Sequence, residues 1–438
     1  MEEVKIGLLG LGTVGSGTVN LLSSSAGEIH RRLGRRVAVT RACVKDLTRH
    51  RDCDVAGIAL TRDPYEVIRD PEISIVLELM GGYEPARQLV LAAIEAGKHV
   101  VTANKALIAK YGNEIFEAAH RRGVMVSYEA AVAGGIPIIK AVRESLAGNR
   151  IQWVAGIVNG TANFILTQMR DEGASFEDAL ADAQRLGYAE ADPTFDVEGI
   201  DAAHKLTILA SISFGIPLQF DRVYTEGISG IGREDIAYAE ELGYSIKHLA
   251  ITQRTEDGIE LRVHPTLMPR RRLIANVDGV MNAVLVYGDA VGHTMYFGAG
   301  AGAEPTASAV VADVLDQVRS LHVEVVNRVP DLAFRAEAIS EEEQVLPMEA
   351  ITTAYYLRLP VEDSPGVMAD ITRILADLGI SLEAILQKEP EPDQDSVPII
   401  MLTYRIQERQ MNEALRRIAR LDAVHGKITR IRLEHFDA

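Results

Sequence analysis

The segment Gly10-Leu11-Gly12-Thr13-Val14-Gly15 is a G-x-G-x-x-G that follows an apolar run, Val4 to Leu9, and leads into Val14 to Leu22, which can run as a helix. A strand, a glycine turn and a helix in that order leave few folds open. The first glycine permits a tight turn, the second lets backbone approach a pyrophosphate, and the third lets the helix pack closely. Phosphate would then sit on the positive end of the helix dipole. Gly10, Leu11, Gly12, Thr13, Val14 and Gly15 are therefore candidate contacts to a dinucleotide; the alternative is a bare structural turn.

Apolar strand candidates recur at Val37 to Val44, Ile73 to Met80, Lys98 to Thr102 and Val124 to Tyr128, with helical segments such as Pro85 to Ala96 between most of them. This alternation predicts an α/β fold with a parallel, doubly wound, Rossmann-like sheet over residues 1–129. The second strand ends at Val44-Lys45-Asp46, where an acidic residue would hold a ribose hydroxyl and a basic one a 2′-phosphate. Lys45, with Arg49 and Arg51 close behind, favours NADP, and Asp46 keeps NAD open. A solvated charged turn is the plain alternative.

Past Tyr128 the pattern changes. Helices such as Pro137 to Leu146 and Ile200 to Phe214 mix with alternating runs, among them Ala283 to Tyr287 and His293 to Phe297 around Gly288-Asp289, whose glycine turn implies antiparallel pairing. Residues 130–330 read as an α+β domain with helices on a face of an antiparallel sheet. Residues 331–350, rich in Glu and Ala with the acidic run Glu341 to Glu343, read as a linker. From 351 to 438 the order is strand, helix, strand, strand, helix, strand: Ala354 to Leu359, Gly366 to Leu378, Ser381 to Gln387, Val397 to Tyr404, Met411 to Leu421 and Ile428 to Leu433. That order predicts a ferredoxin-like unit, with Glu389 to Asp395 as a mobile hairpin loop.

Several domains agree with the length, since 438 residues exceed what one hydrophobic core supports. A net charge of -17 repels phosphate backbones and anionic lipid, so neither nucleic acid nor a membrane is an expected partner of the whole molecule. No apolar run is long enough to span a bilayer, and Met1-Glu2-Glu3 lacks the basic start of a signal peptide. Cys43 and Cys53 are the only cysteines, and their setting suggests neither a disulfide framework nor a four-ligand zinc site. A reducing, cytoplasmic setting is the expectation.

Two lysines are candidates for the chemistry. Val101-Thr102-Ala103-Asn104-Lys105 puts Lys105 just past the C-terminal end of a strand, where open α/β sheets bind their ligands; a solvated surface lysine is the alternative. The run Gly187-Tyr188-Ala189-Glu190-Ala191-Asp192-Pro193-Thr194-Phe195-Asp196-Val197-Glu198-Gly199-Ile200-Asp201 is acidic, and Asp201 and Lys205 share one helix face at a spacing of four. An acidic cap with an ordinary surface ion pair would also explain it.

Together, Val101 to Lys105, Gly187 to Lys205, Asn159-Gly160-Thr161-Ala162-Asn163 and Val263-His264-Pro265-Thr266-Leu267 resemble the signature segments of homoserine dehydrogenases, in order and at the family's separations, up to about Pro330. The resemblance implies reversible NAD(P)-dependent hydride transfer between L-homoserine and L-aspartate 4-semialdehyde, in threonine, methionine and isoleucine biosynthesis. It implies Lys205 as the acid/base residue and Lys105 as a lysine reaching cofactor and substrate. Gly187, Glu190 and Asp201 match positions that hold the amino acid, with Asp196 as a supporting carboxylate. The chemistry agrees, because homoserine presents an ammonium that needs carboxylates and a hydroxyl that must lose a proton. A partly desolvated lysine near a second cation can have its pKa lowered towards the working range.

Three further segments extend the resemblance. Glu129 to Pro137 is a carboxylate followed by a turning loop that enters a helix, and oxygen ligands suit a hard cation. In the family this loop holds a monovalent cation, Na+, which implies Glu129 with the carbonyls of Val132, Gly134 and Ile136; a plain domain crossover is the alternative. Gly298-Ala299-Gly300-Ala301-Gly302-Ala303-Glu304-Pro305-Thr306, leading to a helix from Ala307 to about Leu321, resembles the family segment that returns to the cofactor, with Gly302 at the contact. A flexible connector would also fit.

Leu359 to Val367 followed by Leu378-Gly379-Ile380-Ser381-Leu382 resembles an ACT domain, an amino-acid-sensing unit, although Ser381 departs from the asparagine often found there. The resemblance implies an effector near Asp363 to Gly366 between paired copies, threonine first among candidates, and a homodimer or homotetramer. Two other functions compete. An acylating semialdehyde dehydrogenase needs a thiol nucleophile, and neither Cys43 nor Cys53 is well placed for one. A non-catalytic amino-acid sensor on a Rossmann scaffold would have no use for the lysines and carboxylates.

Overall fold

Strand β1 (Glu3–Leu9) has Ile6, Leu8 and Leu9 fully inaccessible, as a strand covered on both faces requires. In the computed structural model, which describes residues 3–321, 329–388 and 396–436, it is joined by β2 (Arg36–Cys43), β3 (Ala59–Thr61), β4 (Ile73–Glu78), β5 (His99–Thr102) and β6 (Val126–Ser127). These strands form a parallel sheet in the order β3-β2-β1-β4-β5-β6. The doubly wound fold expected from the alternation is therefore present, and the order reverses beside β1, where open sheets bind ligands. β6 is shorter than the predicted Val124 to Tyr128, because Tyr128 leaves the extended region to enter a tight turn at Glu129–Ala131.

The chain divides into two compact units: Met1–Val158 with Asp201–Val223 and Met281–Glu343, and Asn159–Ile200 with Tyr224–Val280 and Gln344–Ala438. In the first unit the main helices are α1 (Thr13–Ser24), α2 (Ala86–Glu95), α3 (Lys105–Arg122), α4 (Ile200–Phe214) and α5 (Ala303–Ser320). α3 starts where the Asn104 side chain accepts the Leu107 N–H at 3.1 Å and stops at Gly123, whose φ of 64° is left-handed. Every α4 residue from Asp201 to Phe214 is buried, so this helix is core on all sides. The helix expected from Pro137 to Leu146 is α-helical only at Ile138–Lys140; Ala141–Ser145 widens into a π turn in which Leu146 N–H reaches Ala141 O. Strands β7 (Ile151–Ile157), β8 (Met281–Gly288) and β9 (Gly292–Ala299) pair antiparallel with β8 in the middle, and the Gly288-Asp289 hairpin is as read.

The second unit is built on an antiparallel pair, Tyr244–Arg254 with Ile259–Pro269. Ile259–Pro269 is buried along its whole length and also pairs in parallel with Thr429–Leu433, at Thr266↔Arg432 and Leu267↔Leu433. Through that contact the sheet continues into Thr352–Val361, Val397–Thr403 and Leu382–Gln387, paired antiparallel in that order. With helices Val367–Asp377 and Glu408–Ile418 this is the ferredoxin-like unit expected. The hairpin loop placed at Glu389 to Asp395 lies outside the described residues. Residues 331–350 are held by backbone within each unit: Ser340 N–H to Gly215 O in the first, and Leu346 N–H to Ile259 O in the second, at 2.8 Å each. Among the described residues, no helix is long and apolar enough to cross a membrane.

Candidate active site

Gly10 sits where the ends of three strands meet. Its N–H bonds Cys43 O at 3.1 Å while Leu79 N–H bonds Leu9 O at 2.9 Å, and its φ of 97° is left-handed. A Cβ at Gly10 would stand 2.8 Å from Leu79 O, and one at Gly15 would stand 2.5 Å from Gly10 O, whereas the position at Gly12 is open. Tight contact at the first and third glycines with free space at the second is the cradle a pyrophosphate needs, and the first-turn N–H groups of α1 have no partners within the helix. Gly10 to Gly15 thus fit a dinucleotide. Lys45 and Asp46 are exposed past β2, and the Asp46 carboxylate is engaged by the Thr48 N–H (2.8 Å) and hydroxyl (2.7 Å).

Past the C-terminal ends of β4 and β5 the candidate residues of this unit come together. Asp201 and Lys205, expected on one face of α4, are bonded at 2.6 Å, and Lys205 Nζ also donates to the Val158 carbonyl at 2.5 Å. The other Asp201 oxygen lies 3.2 Å from Lys105 Nζ. Asp201 is 4% and Lys205 8% exposed, so the surface ion pair is ruled out. One buried carboxylate therefore holds two ammonium groups brought from different helices. Its two oxygens each face one lysine, Oδ2 towards Lys205 and Oδ1 towards Lys105.

Several neighbours were not read from the sequence. His204 is fully buried, stacks on Phe220 (4.2 Å between ring centres, 14° between planes) and shares a 3.0 Å hydrogen bond between its Nε2 and the Tyr83 hydroxyl. Burial lowers its pKa to about 4, assisted by the charges of Lys105, Lys205 and Lys110 against that of Asp201. Glu78, at the end of β4, is inaccessible and accepts bonds from Met80, Gly81 and Thr102. Burial pushes its carboxyl up, and these bonds oppose the shift. Only the paired glycines after it, Gly81 and Gly82, hint at a shaped turn.

The two loops read separately as cation and cofactor segments meet within this unit. Gly135 N–H bonds Ala299 O at 3.0 Å, and a Cβ on Gly134 would stand 2.5 Å from Gly300 O. Gly302, with a φ of 120°, precedes α5. The buried Glu129 carboxylate accepts the N–H groups of Ile139 (2.9 Å) and Lys140 (2.8 Å). Burial, with the nearby Asp313 charge, pushes its pKa up to about 7. Ala133 and Gly134 are successive left-handed residues, φ 54° and 43°, so Val132, Gly134 and Ile136 lie in a sharply turned backbone.

In the second unit the acidic run is mounted on the Asn159 to Asn163 motif. Asn159 Oδ1 caps the helix Gly160–Asp171 at Ala162 N–H (2.7 Å), and its Nδ2 donates to Asp196 at 2.8 Å. Thr161 donates to Tyr188 O at 2.7 Å. Gly187 turns the chain with a φ of 78°, and Glu190 is exposed with its carbonyl held by Gln184 Nε2 at 3.0 Å. Asn163 serves structure instead, donating to Val277 O and Gly279 O at 3.0 Å each. Against the acylating alternative, burial, then the charges of Asp63 and Glu66, raise the Cys43 pKa, which disfavours the thiolate there.

Comparison with known proteins gives the family. The family model for homoserine dehydrogenase matches residues 137–315, that for the homoserine dehydrogenase NAD binding domain matches 10–129, and that for the ACT domain matches 355–423. The homoserine dehydrogenase of Pseudomonas aeruginosa is 58% identical over 437 residues, spanning 100% of both chains. That of Neisseria gonorrhoeae is 52% identical, spanning 99% of both. A solved homoserine dehydrogenase from Thiobacillus denitrificans superposes with a TM-score of 0.94 at 62% identity, over 99% of each chain. A hyperthermophilic archaeal homoserine dehydrogenase in complex with NADPH superposes with a TM-score of 0.61 at 26% identity, over 72% of this chain and 98% of its own. The chain belongs to the homoserine dehydrogenase family, NAD(P)-dependent oxidoreductases, and carries a C-terminal ACT domain.

Proposed function

We propose that Lys205 is the acid/base group for the interconversion of homoserine and aspartate semialdehyde, and that Asp201 holds both Lys205 and Lys105 in working position. The observation that carries this is the single buried carboxylate with its two oxygens at 2.6 and 3.2 Å from the two ammonium groups. The homoserine hydroxyl must lose its proton as its carbon gives up hydride. A bound nicotinamide supplies the hydride acceptor. Lys205 takes the proton, directly or through one water, and Lys105 orients substrate and cofactor. Glu190 and Asp201 receive the substrate ammonium, Asp196 supports it from Asn159, and Gly187 shapes the loop.

NADP is the preferred cofactor in this reading: Lys45, Arg49 and Arg51 supply cations where a 2′-phosphate would lie. Gly302 approaches the dinucleotide from the second glycine loop. A monovalent cation, Na+, is held by Glu129 and the carbonyls of Val132, Gly134 and Ile136; hard oxygen donors suit it, and binding would compensate the left-handed turn at Ala133. Its part would be to fix the two packed loops. Residues 1–129, 130–330 and 351–438 act as cofactor, catalytic and regulatory segments joined through 331–350. Threonine, bound near Asp363 to Gly366, regulates a cytoplasmic homodimer or homotetramer in threonine, methionine and isoleucine biosynthesis.

The test is oxidation of NADPH by aspartate semialdehyde, repeated with NADH, with Na+ exchanged for a bulky cation at constant ionic strength, and with threonine added. Turnover with NADPH exceeding that with NADH, loss without Na+ and inhibition by threonine are expected. Absence of any semialdehyde reduction would overturn the catalytic assignment, and each remaining arm would overturn its own part. Light scattering decides the assembly.

A further inference from the structure

The roles proposed above make no use of Glu78, although burying a carboxylate is expensive and is tolerated where its bonds hold something in place. Its Oε1 accepts the N–H groups of Met80 at 2.9 Å and Gly81 at 3.2 Å, and its Oε2 accepts the Thr102 hydroxyl at 2.6 Å. Thr102 Oγ1 accepts the Asn104 N–H at 2.9 Å. Asn104 then closes the ring, its Nδ2 donating to Gly82 O at 2.7 Å while its Oδ1 accepts the Leu107 N–H at 3.1 Å. The turn after β4 and the turn after β5 are thus tied together, and the next residue is Lys105, the first of α3. A neutral side chain at position 78 would lack a carboxylate's capacity to accept all three donors at once.

We infer that Glu78 is a positioning residue: through Thr102 and Asn104 it sets the start of α3, and with it where the Lys105 ammonium stands relative to Asp201. The inference rests on the part proposed for Lys105. A carboxylate kept only for stability would leave turnover of the folded enzyme unchanged when the ring is opened, which separates the two cases.

Thr102→Val and Thr102→Ser are the primary variants, because Val keeps the shape without the hydroxyl and Ser keeps the hydroxyl without the methyl. They are compared with Glu78→Gln and Lys105→Ala in the full chain, measuring kcat, KM for homoserine and for NADP, and thermal unfolding. Since sub-ångström placement governs rate, Thr102→Val should lower kcat/KM by roughly ten- to a hundredfold at temperatures where it is fully folded. Thr102→Ser should stay within about threefold of wild type, and Glu78→Gln should follow Thr102→Val. If Thr102→Val keeps wild-type kcat/KM while Lys105→Ala is impaired, the positioning role is overturned and the role of Lys105 stands. Equal losses in the Ser and Val variants would overturn it too, since the hydroxyl would then be irrelevant. Wild-type turnover in Lys105→Ala removes the underlying assignment and this inference together.

Discussion

Replacing Lys205 by alanine removes the closer of the two ammonium groups on Asp201 and the donor to Val158 O, at 2.6 and 2.5 Å. Positioned general acid–base catalysis contributes roughly 10² to 10⁴ in rate, or about 3–5 kcal/mol of barrier. Stability moves as well. Deleting one partner of a buried ion pair costs about 3–5 kcal/mol, but Lys105 remains 3.2 Å from the other oxygen with its side chain 35% exposed. The retained charge places the loss near the lower end, about 3 kcal/mol. Lys205→Met keeps most of the aliphatic volume and separates lost packing from the lost amine. Steady-state oxidation of homoserine, followed by the absorbance of reduced nicotinamide, should show kcat down by about 10² to 10⁴ in both variants. Fluorescence titration should give a dinucleotide Kd within about threefold of wild type, since the glycine cradle is untouched. A folded variant that turned over within about tenfold of wild type would refute the assignment of proton transfer to Lys205.

Glu190→Gln should raise the KM for homoserine about tenfold or more, the value of a charge-assisted bond, with kcat less affected; an unchanged KM would make Glu190 a solvated loop residue. His204 has a folded pKa of about 4 against 6.5 unfolded, so the unfolded chain binds the extra proton: its contribution is complete above pH 6.5 and disappears as pH falls to 4. Denaturant unfolding at pH 7 and 5 should therefore show wild type losing up to about 2 kcal/mol more than His204→Gln; equal losses would mean that His204 is not held neutral. Arg432→Met strips a bidentate partner from the buried Glu408, whose oxygens lie 2.9 and 2.5 Å from it. About 3 kcal/mol of unfolding free energy should go, because Arg430 still contacts Glu408 at 2.8 Å, and a loss below about 1 kcal/mol would show the network to be dispensable.

What the sequence disclosed and what it withheld follow from the range of each interaction. The glycine motif, the alternation behind the parallel sheet and the Asp201–Lys205 spacing are local patterns, and each reappears in the structure. β3 escaped notice because Ala59-Leu60-Thr61 is too short to show a period, and it is recognised only by pairing with β2. The spacing of Asp201 and Lys205 reveals one ion pair and conceals the other, because Lys105 reaches the same carboxylate from another helix. Glu78 was hidden within a strand read through to Met80; its meaning depends on Thr102, a partner on the adjacent strand.

Buried charge makes this limit systematic. An ionised side chain is tolerated in a core only when its partners arrive with it, and those partners are usually distant in sequence, so the residues doing chemistry are the ones a one-dimensional pattern specifies least. The same reasoning applies to Arg432. Its strand continues the Ile259–Pro269 strand into the ferredoxin-like unit, and its guanidinium joins Glu408, on that unit's second helix, to Glu226 at 2.7 Å. Glu226 N–H bonds Val263 O, and two residues on Ile228 N–H bonds Val197 O at 2.9 Å, next to Asp196. Within the second unit, then, a displacement of the C-terminal strand is opposed by a run of bonded groups ending at the proposed substrate loop, and the hydrogen bonds of that run join segments far apart in sequence.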